Sequence, residues 1–106
     1  MKTIEAMVMS ATDSLGDVEF LQVELSEFAE LNIGRANKLF KDPAYTWIDC
    51  MDIRHNGTKL TAIKDGEVVN ERFELFTLTV EASGTVLIKA WLKNDPEEYV
   101  NAEFTL

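Results

Sequence analysis

The sequence predicts an α+β domain in which a single helix, about residues 26–41, packs on a curved antiparallel sheet of about six to seven strands, in the order β-β-α-β-β-β-β-β. Three observations carry this expectation. Apolar residues alternate with period two before Ser26 and after Tyr45, they recur with period 3.6 only between those points, and turn residues punctuate the chain at Ala11 to Asp17, Asp42-Pro43, Asn56-Gly57, Asp65-Gly66, Ser83-Gly84 and Asn94-Asp95-Pro96. The 106 residues suffice for one domain, 1–106, that buries roughly 65% of its unfolded surface without disulfide or metal support.

Lys2 to Ser10 reads as a strand, with Ile4, Ala6 and Val8 on one face and Thr3, Glu5, Met7 and Met9 on the other. Ala11 to Asp17 supplies turn residues, and Val18 to Leu25 forms a second strand, so these two make a hairpin. Ser26 is an N-cap, after which Phe28, Ala29, Ile33, Ala36, Leu39 and Phe40 gather on one face of a helix. Glu27 and Glu30 in the first turn and Lys38 and Lys41 in the last suit the macrodipole, and Asp42-Pro43 ends the helix. Gly34, on the solvent side, costs about 1 kcal/mol against Ala and allows a break.

Asn56-Gly57 between two alternating runs signals a central hairpin with a type I′ turn. A two-residue loop would pair Arg54 with Lys59, Ile53 with Leu60 and Met51 with Ala62, giving a core face of Tyr45, Trp47, Met51, Ile53, Leu60 and Ala62. Lys64-Asp65-Gly66-Glu67 reads as a further tight turn that pairs Ile63 with Val68 and Ala62 with Val69. The run Glu71 to Glu81 changes phase, which calls for a bulge near Asn70 or cover on both faces. Thr85 to Lys93 returns past Ser83-Gly84, placing Val80 by Leu87 and Phe76 by Trp91, and Tyr99 to Leu106 closes the chain as a docked strand.

Composition narrows the function classes. A lone cysteine, Cys50, cannot close an internal disulfide and reads as a buried thiol in a reducing compartment. No secretion signal or twenty-residue apolar run is evident, so the expectation is a cytoplasmic protein without a membrane partner. The formal charge of −9 is segregated. Seven acidic and no basic residues lie between Thr3 and Gly34, and four acidic and no basic ones between Asn94 and Leu106, while Arg35 to Lys93 is nearly neutral.

Residue types for catalysis do not converge. His55 stands at a predicted turn, with Cys50 facing the opposite side of the same strand, and the serines occupy turns or the helix cap. Asp49, Asp52 and His55 have helical spacing on a strand, and Asp13 and Asp17 lack the alternating ligands of a calcium loop. No glycine-rich loop opens the helix for phosphate. No enzymatic activity, cofactor or metal is therefore expected.

The charge repels nucleic acid directly but suits a basic protein surface, such as the groove of a nucleic-acid-binding protein. The expected function is a small acidic interaction protein, an inhibitor or nucleic-acid mimic, contacting its partner through Glu19, Glu24, Glu27, Glu30, Asp95, Glu97, Glu98 and Glu103. Phage or mobile-element antagonists and toxin-neutralising immunity proteins share this size and charge, as an analogy of class. The alternative is a small-ligand or enzymatic domain with a pocket between helix and sheet lined by Tyr45, Trp47, Phe76 and Trp91; a homo-oligomer through an edge at the C-terminal strand is a third reading.

Overall fold

A computed structural model describes residues 2–69, 73 and 75–106. Eight strands and one helix follow in the order β1 (Lys2–Ala11), β2 (Phe20–Leu25), α1 (Glu27–Phe40), β3 (Cys50–Ile53), β4 (Lys59–Lys64), β5 (Glu67–Val69), β6 (Leu75–Glu81), β7 (Thr85–Leu92) and β8 (Asp95–Thr105). All strands belong to one antiparallel sheet with spatial order β3-β6-β7-β8-β1-β2-β4-β5. The α+β class stands, with one strand more than the sequence suggested. The expected bulge at Asn70 lies outside the described residues.

The first two strands pair as a hairpin, Ala6 facing Leu21 and Ile4 facing Val23, around a 3₁₀ turn at Asp13–Leu15. Ser26 caps α1 by accepting a hydrogen bond from the Ala29 N–H at 3.1 Å. Ala29, Ile33 and Ala36 are the buried helix residues, and the small size of the two alanines lets the helix lie close to the sheet over β3 and β6. Phe28, expected in the core, is 42% exposed. At 3.6 residues per turn it stands about 100° from Ala29 around the axis, off the narrow stripe that touches the sheet. Helix α1 runs through Gly34 without a break.

The expected central hairpin does not form. β3 pairs with β6 and β4 pairs with β2 and β5, so the two strands flanking Asn56-Gly57 belong to opposite parts of the sheet. The turn does not take the form that hairpin needs. Gly57 has φ of 88°, but Asp65 is the only non-glycine residue with positive φ among those described, so Asn56 does not complete a type I′ turn. A turn closed by the Thr58 N–H donating to the His55 carbonyl at 2.9 Å splays the strands instead. Six strand spacings would separate β3 from β4 in a flat sheet, about 29 Å, yet the chain from Ile53 to Lys59 spans at most about 21 Å. The sheet must therefore curl, and α1 lies inside the curl.

Two groups of contacts hold that crossing. The His55 ring stacks on Phe76 with centroids 4.0 Å apart, its Nε2 lying 2.8 Å from the Phe76 carbonyl. Ser26 Oγ donates to the Asn56 carbonyl at 2.8 Å, and the Ser26 N–H donates to Thr58 Oγ1 at 3.1 Å. Of the expected core face, Ala62 is buried and Met51, Ile53 and Leu60 are half-buried, but Tyr45 and Trp47 leave it. They follow α1 on a 3₁₀ turn (Pro43–Tyr45) and its exit, and Trp47 is 75% exposed.

The Asp65-Gly66 turn is the type I′ hairpin, with φ of 50° and 77°, and pairs Ile63 with Val68 and Ala62 with Val69 as its residues imply. β6 and β7 are joined by three residues, Ala82-Ser83-Gly84, rather than two. Gly84, at φ of 96°, takes the left-handed position, and the register becomes Val80 with Val86 and Phe76 with Ala90, one residue from expectation. β8 lies between β7 and β1, so the C-terminal strand has no open edge; the sheet edges are β3 and β5. Within the described residues no helix is long and apolar enough to cross a membrane.

Candidate interaction surface

Because β8, β1 and β2 are consecutive in the sheet, the two acidic ends of the chain are spatial neighbours. Side chains with the parity of Thr3, Glu5 and Met7 point away from α1, since Ala6 beside them is fully buried. Glu103 faces Met7 across β8 and β1, Glu5 faces Gln22, and Glu24 faces Thr3. Each step from Glu103 to Glu5 to Glu24 thus moves one strand sideways and two residues along, which places successive Cα positions about 8 Å apart. Three carboxylates form a diagonal on the outer face of the sheet. Lys59, opposite Glu24, is the cation beside it.

The remaining acidic residues named from the sequence divide between the two ends of these strands. Glu27 and Glu30 open α1 next to Leu25, which pairs with Lys2, whereas Asp95, Glu97 and Glu98 begin β8 near Ala11 and Thr12. Nine residue steps of β1, roughly 30 Å, separate the two groups. Glu19 is exposed before β2, and its Oε1 accepts a hydrogen bond from the Asp65 N–H. The Glu97 N–H donates to Asp95 Oδ1 at 3.2 Å. Glu98 lies against the 3₁₀ turn after β1, where the hydroxyls of Thr12 and then Ser14 lower its carboxyl from the ordinary value; one oxygen, Oε2, is shielded from solvent without a partner of its own.

Sequence reasoning missed two parts of this face. Glu5, the middle carboxylate of the diagonal, was not among the residues singled out. The larger omission is apolar. One cross-strand row runs through all eight strands as Asp52, Thr79, Leu87, Glu103, Met7, Phe20, Ile63 and Val68. Five of these are apolar on the side that no helix covers. Met7 is 65% exposed, whereas Ile63 is only 6% exposed beside Phe20, so this face holds a small apolar cluster of its own. The visible signal was Met7 and Met9 at polar-parity positions of the first strand and Phe20 in phase with Gln22 and Glu24.

A shallow groove of about 450 Å³ opens on the same face between Met9, Thr77, Thr79, Leu87, Lys89 and Asn101. A bulge between Val8 and Ser10 turns Met9 outward beside it. The Lys89 ammonium leans away from Leu87, over the rings of Tyr99 at 4.5 Å and Trp91 at 5.3 Å.

The aromatic pocket considered from the sequence is not assembled. Trp91 is on the outer face with Lys89, Phe76 is buried under His55, and Tyr45 and Trp47 are exposed beyond the helix. Cys50 is exposed, not buried, because β3 is an edge strand and Cys50 has outward parity opposite Glu81. No group of three His, Cys, Asp or Glu side chains suited to a metal ion is gathered among the described residues. No family model, curated protein or solved structure matches the chain.

Proposed function

We propose that this protein works without catalysis, by binding a basic surface of a partner protein and occluding it. The observation that supports this reading is the contiguity of β8, β1 and β2, which turns a segregation of charge along the chain into a carboxylate diagonal, Glu103, Glu5 and Glu24, on one face. Glu27 and Glu30 at one end and Asp95, Glu97 and Glu98 at the other extend the negative field beyond that face, and Glu19 lies before β2. Such a field accelerates encounter with a cationic partner and repels a nucleic acid, so the partner surface fits a protein that itself binds nucleic acid. In that case the carboxylates would stand where phosphates otherwise bind.

The test is capture of partners on the immobilised protein at two ionic strengths. Between about 0.1 M and about 1 M salt the screening length falls from about 10 Å to about 3 Å. A partner held at the lower and released at the higher supports the reading; partners retained equally at both contradict it.

A further inference from the structure

We infer that the uncovered face of the sheet seats an amphipathic, cationic helix of the partner, its apolar ridge lying on Leu87, Met7, Phe20 and Val68 and its basic flanks reaching Glu103, Glu5 and Glu24. The inference rests on the basic-partner reading above and adds the chemistry of the occupant. A one-helix sheet of this size leaves its second face to water, and such faces ordinarily carry polar residues. Here one cross-strand row, through six consecutive strands from β7 to β5, is apolar on that face but for Glu103. Exposed apolar residues grouped in this way mark a surface that is covered in use, and methionine side chains suit an adaptable contact.

Charge decides what covers it. A second copy of this chain would bring another −9 against the same face and set Glu103 and Glu5 of both copies close together. A cationic occupant meets carboxylates on the diagonal beside its apolar contact, the arrangement of an apolar centre with a polar rim. Lys89 does not oppose it, because its ammonium is drawn over Tyr99 and Trp91, away from the apolar row. The row from Leu87 to Val68 crosses five strand spacings, about 24 Å along the sheet and less in a straight line because the sheet curls, so it matches at most about sixteen residues of α-helix.

The experiment measures binding of two labelled eighteen-residue peptides by fluorescence anisotropy. One carries a leucine stripe at helical spacing with lysine elsewhere; the other keeps every lysine and replaces leucine with serine. At about 0.1 M salt, where charges still act over about 10 Å, the leucine peptide is expected to bind at least tenfold more tightly. Met7→Glu, and independently Val68→Glu, are expected to remove that advantage while leaving the serine peptide bound; both side chains are exposed, and thermal melts verify folding of each variant. Equal affinity for the two peptides overturns the inference and leaves the electrostatic reading in place. Failure of both peptides to bind overturns the two together. A dimer of the chain that dissociates on Met7→Glu would assign the face to a second copy and overturn the cationic helix.

Discussion

Ser26 Oγ and Thr58 Oγ1 lie 3.1 Å apart, joining the cap of α1 to the residue that closes the turn before β4. Ser26 Oγ directs its proton to the Asn56 carbonyl and accepts from the Ala29 N–H, so the Thr58 hydroxyl donates to Ser26 and accepts in return from the Ser26 N–H. Both residues are buried. Thr58→Val leaves the Ser26 N–H without its partner and is expected to destabilise the fold by about 1–3 kcal/mol. Ser26→Ala removes the same link from the other side, together with the cap, at about 1–2 kcal/mol. A chemical-denaturation cycle with both changes should show a loss smaller than the sum of the single losses, as expected for directly bonded residues.

Gly57→Ala tests the turn that replaces the expected hairpin. An added Cβ at φ of 88° would lie 3.3 Å from Ser26 Cβ, so the strain of the left-handed conformation adds to crowding of the helix cap. The expected cost is at least about 1–2 kcal/mol, visible as a fall of about 5 °C or more in Tm.

Gly34→Ala should act in the opposite sense. Gly34 is exposed in mid-helix, and nothing lies within 4 Å of a Cβ placed there. Thermal unfolding should show stabilisation of up to about 1 kcal/mol from helix propensity.

These substitutions mark how far the fold could be read from residues. The helix limits, the Ser26 cap, the first hairpin and the Asp65-Gly66 turn were legible because each is set by local chemistry: a period, a cap, a pair of residues that tolerate positive φ. The partner of β3 was not. Asn56-Gly57 satisfies the composition of a type I′ turn, and only long-range packing, with His55 drawn onto Phe76 and Ser26 onto Asn56, decides that it makes a different one. The exposure of Cys50 follows from the same event, since a strand expected inside the sheet became its edge. At the interaction surface the acidic residues were visible as charge, but their division between one face and two ends depends on register. Of the apolar row only Met7 and Phe20, out of phase with their apolar neighbours, gave a sign in the sequence, because the row assembles single residues from strands far apart along the chain.

Cys50 supplies an independent check on strand order. Its exposed thiol should react stoichiometrically with a disulfide reagent under native conditions, without denaturant. Labelling that requires unfolding would place β3 in the sheet interior.

Glu98 predicts a pH effect with a defined sign. Thr12 and Ser14 lower its pKa in the folded protein from the ordinary 4.5, so its contribution to stability is present above that value and is lost as pH falls through the lowered one. Thr12→Val should move the Glu98 carboxyl back towards 4.5 in an NMR titration. The transition of the wild type should lie at lower pH than that of the variant.

The most direct measurement of the central claim compares two triple variants in partner capture at about 0.1 M salt, where the screening length is about 10 Å. Glu5→Gln, Glu24→Gln and Glu103→Gln neutralise the outer diagonal; Asp49→Asn, Glu67→Gln and Glu81→Gln neutralise as many charges elsewhere. Three charges removed from −9 leave −6 in both proteins. The account predicts that the first variant loses the salt-released partner and the second keeps it. Equal retention would show that the diagonal is not needed, and equal loss that only total charge matters; either result would contradict a binding face on β8, β1 and β2.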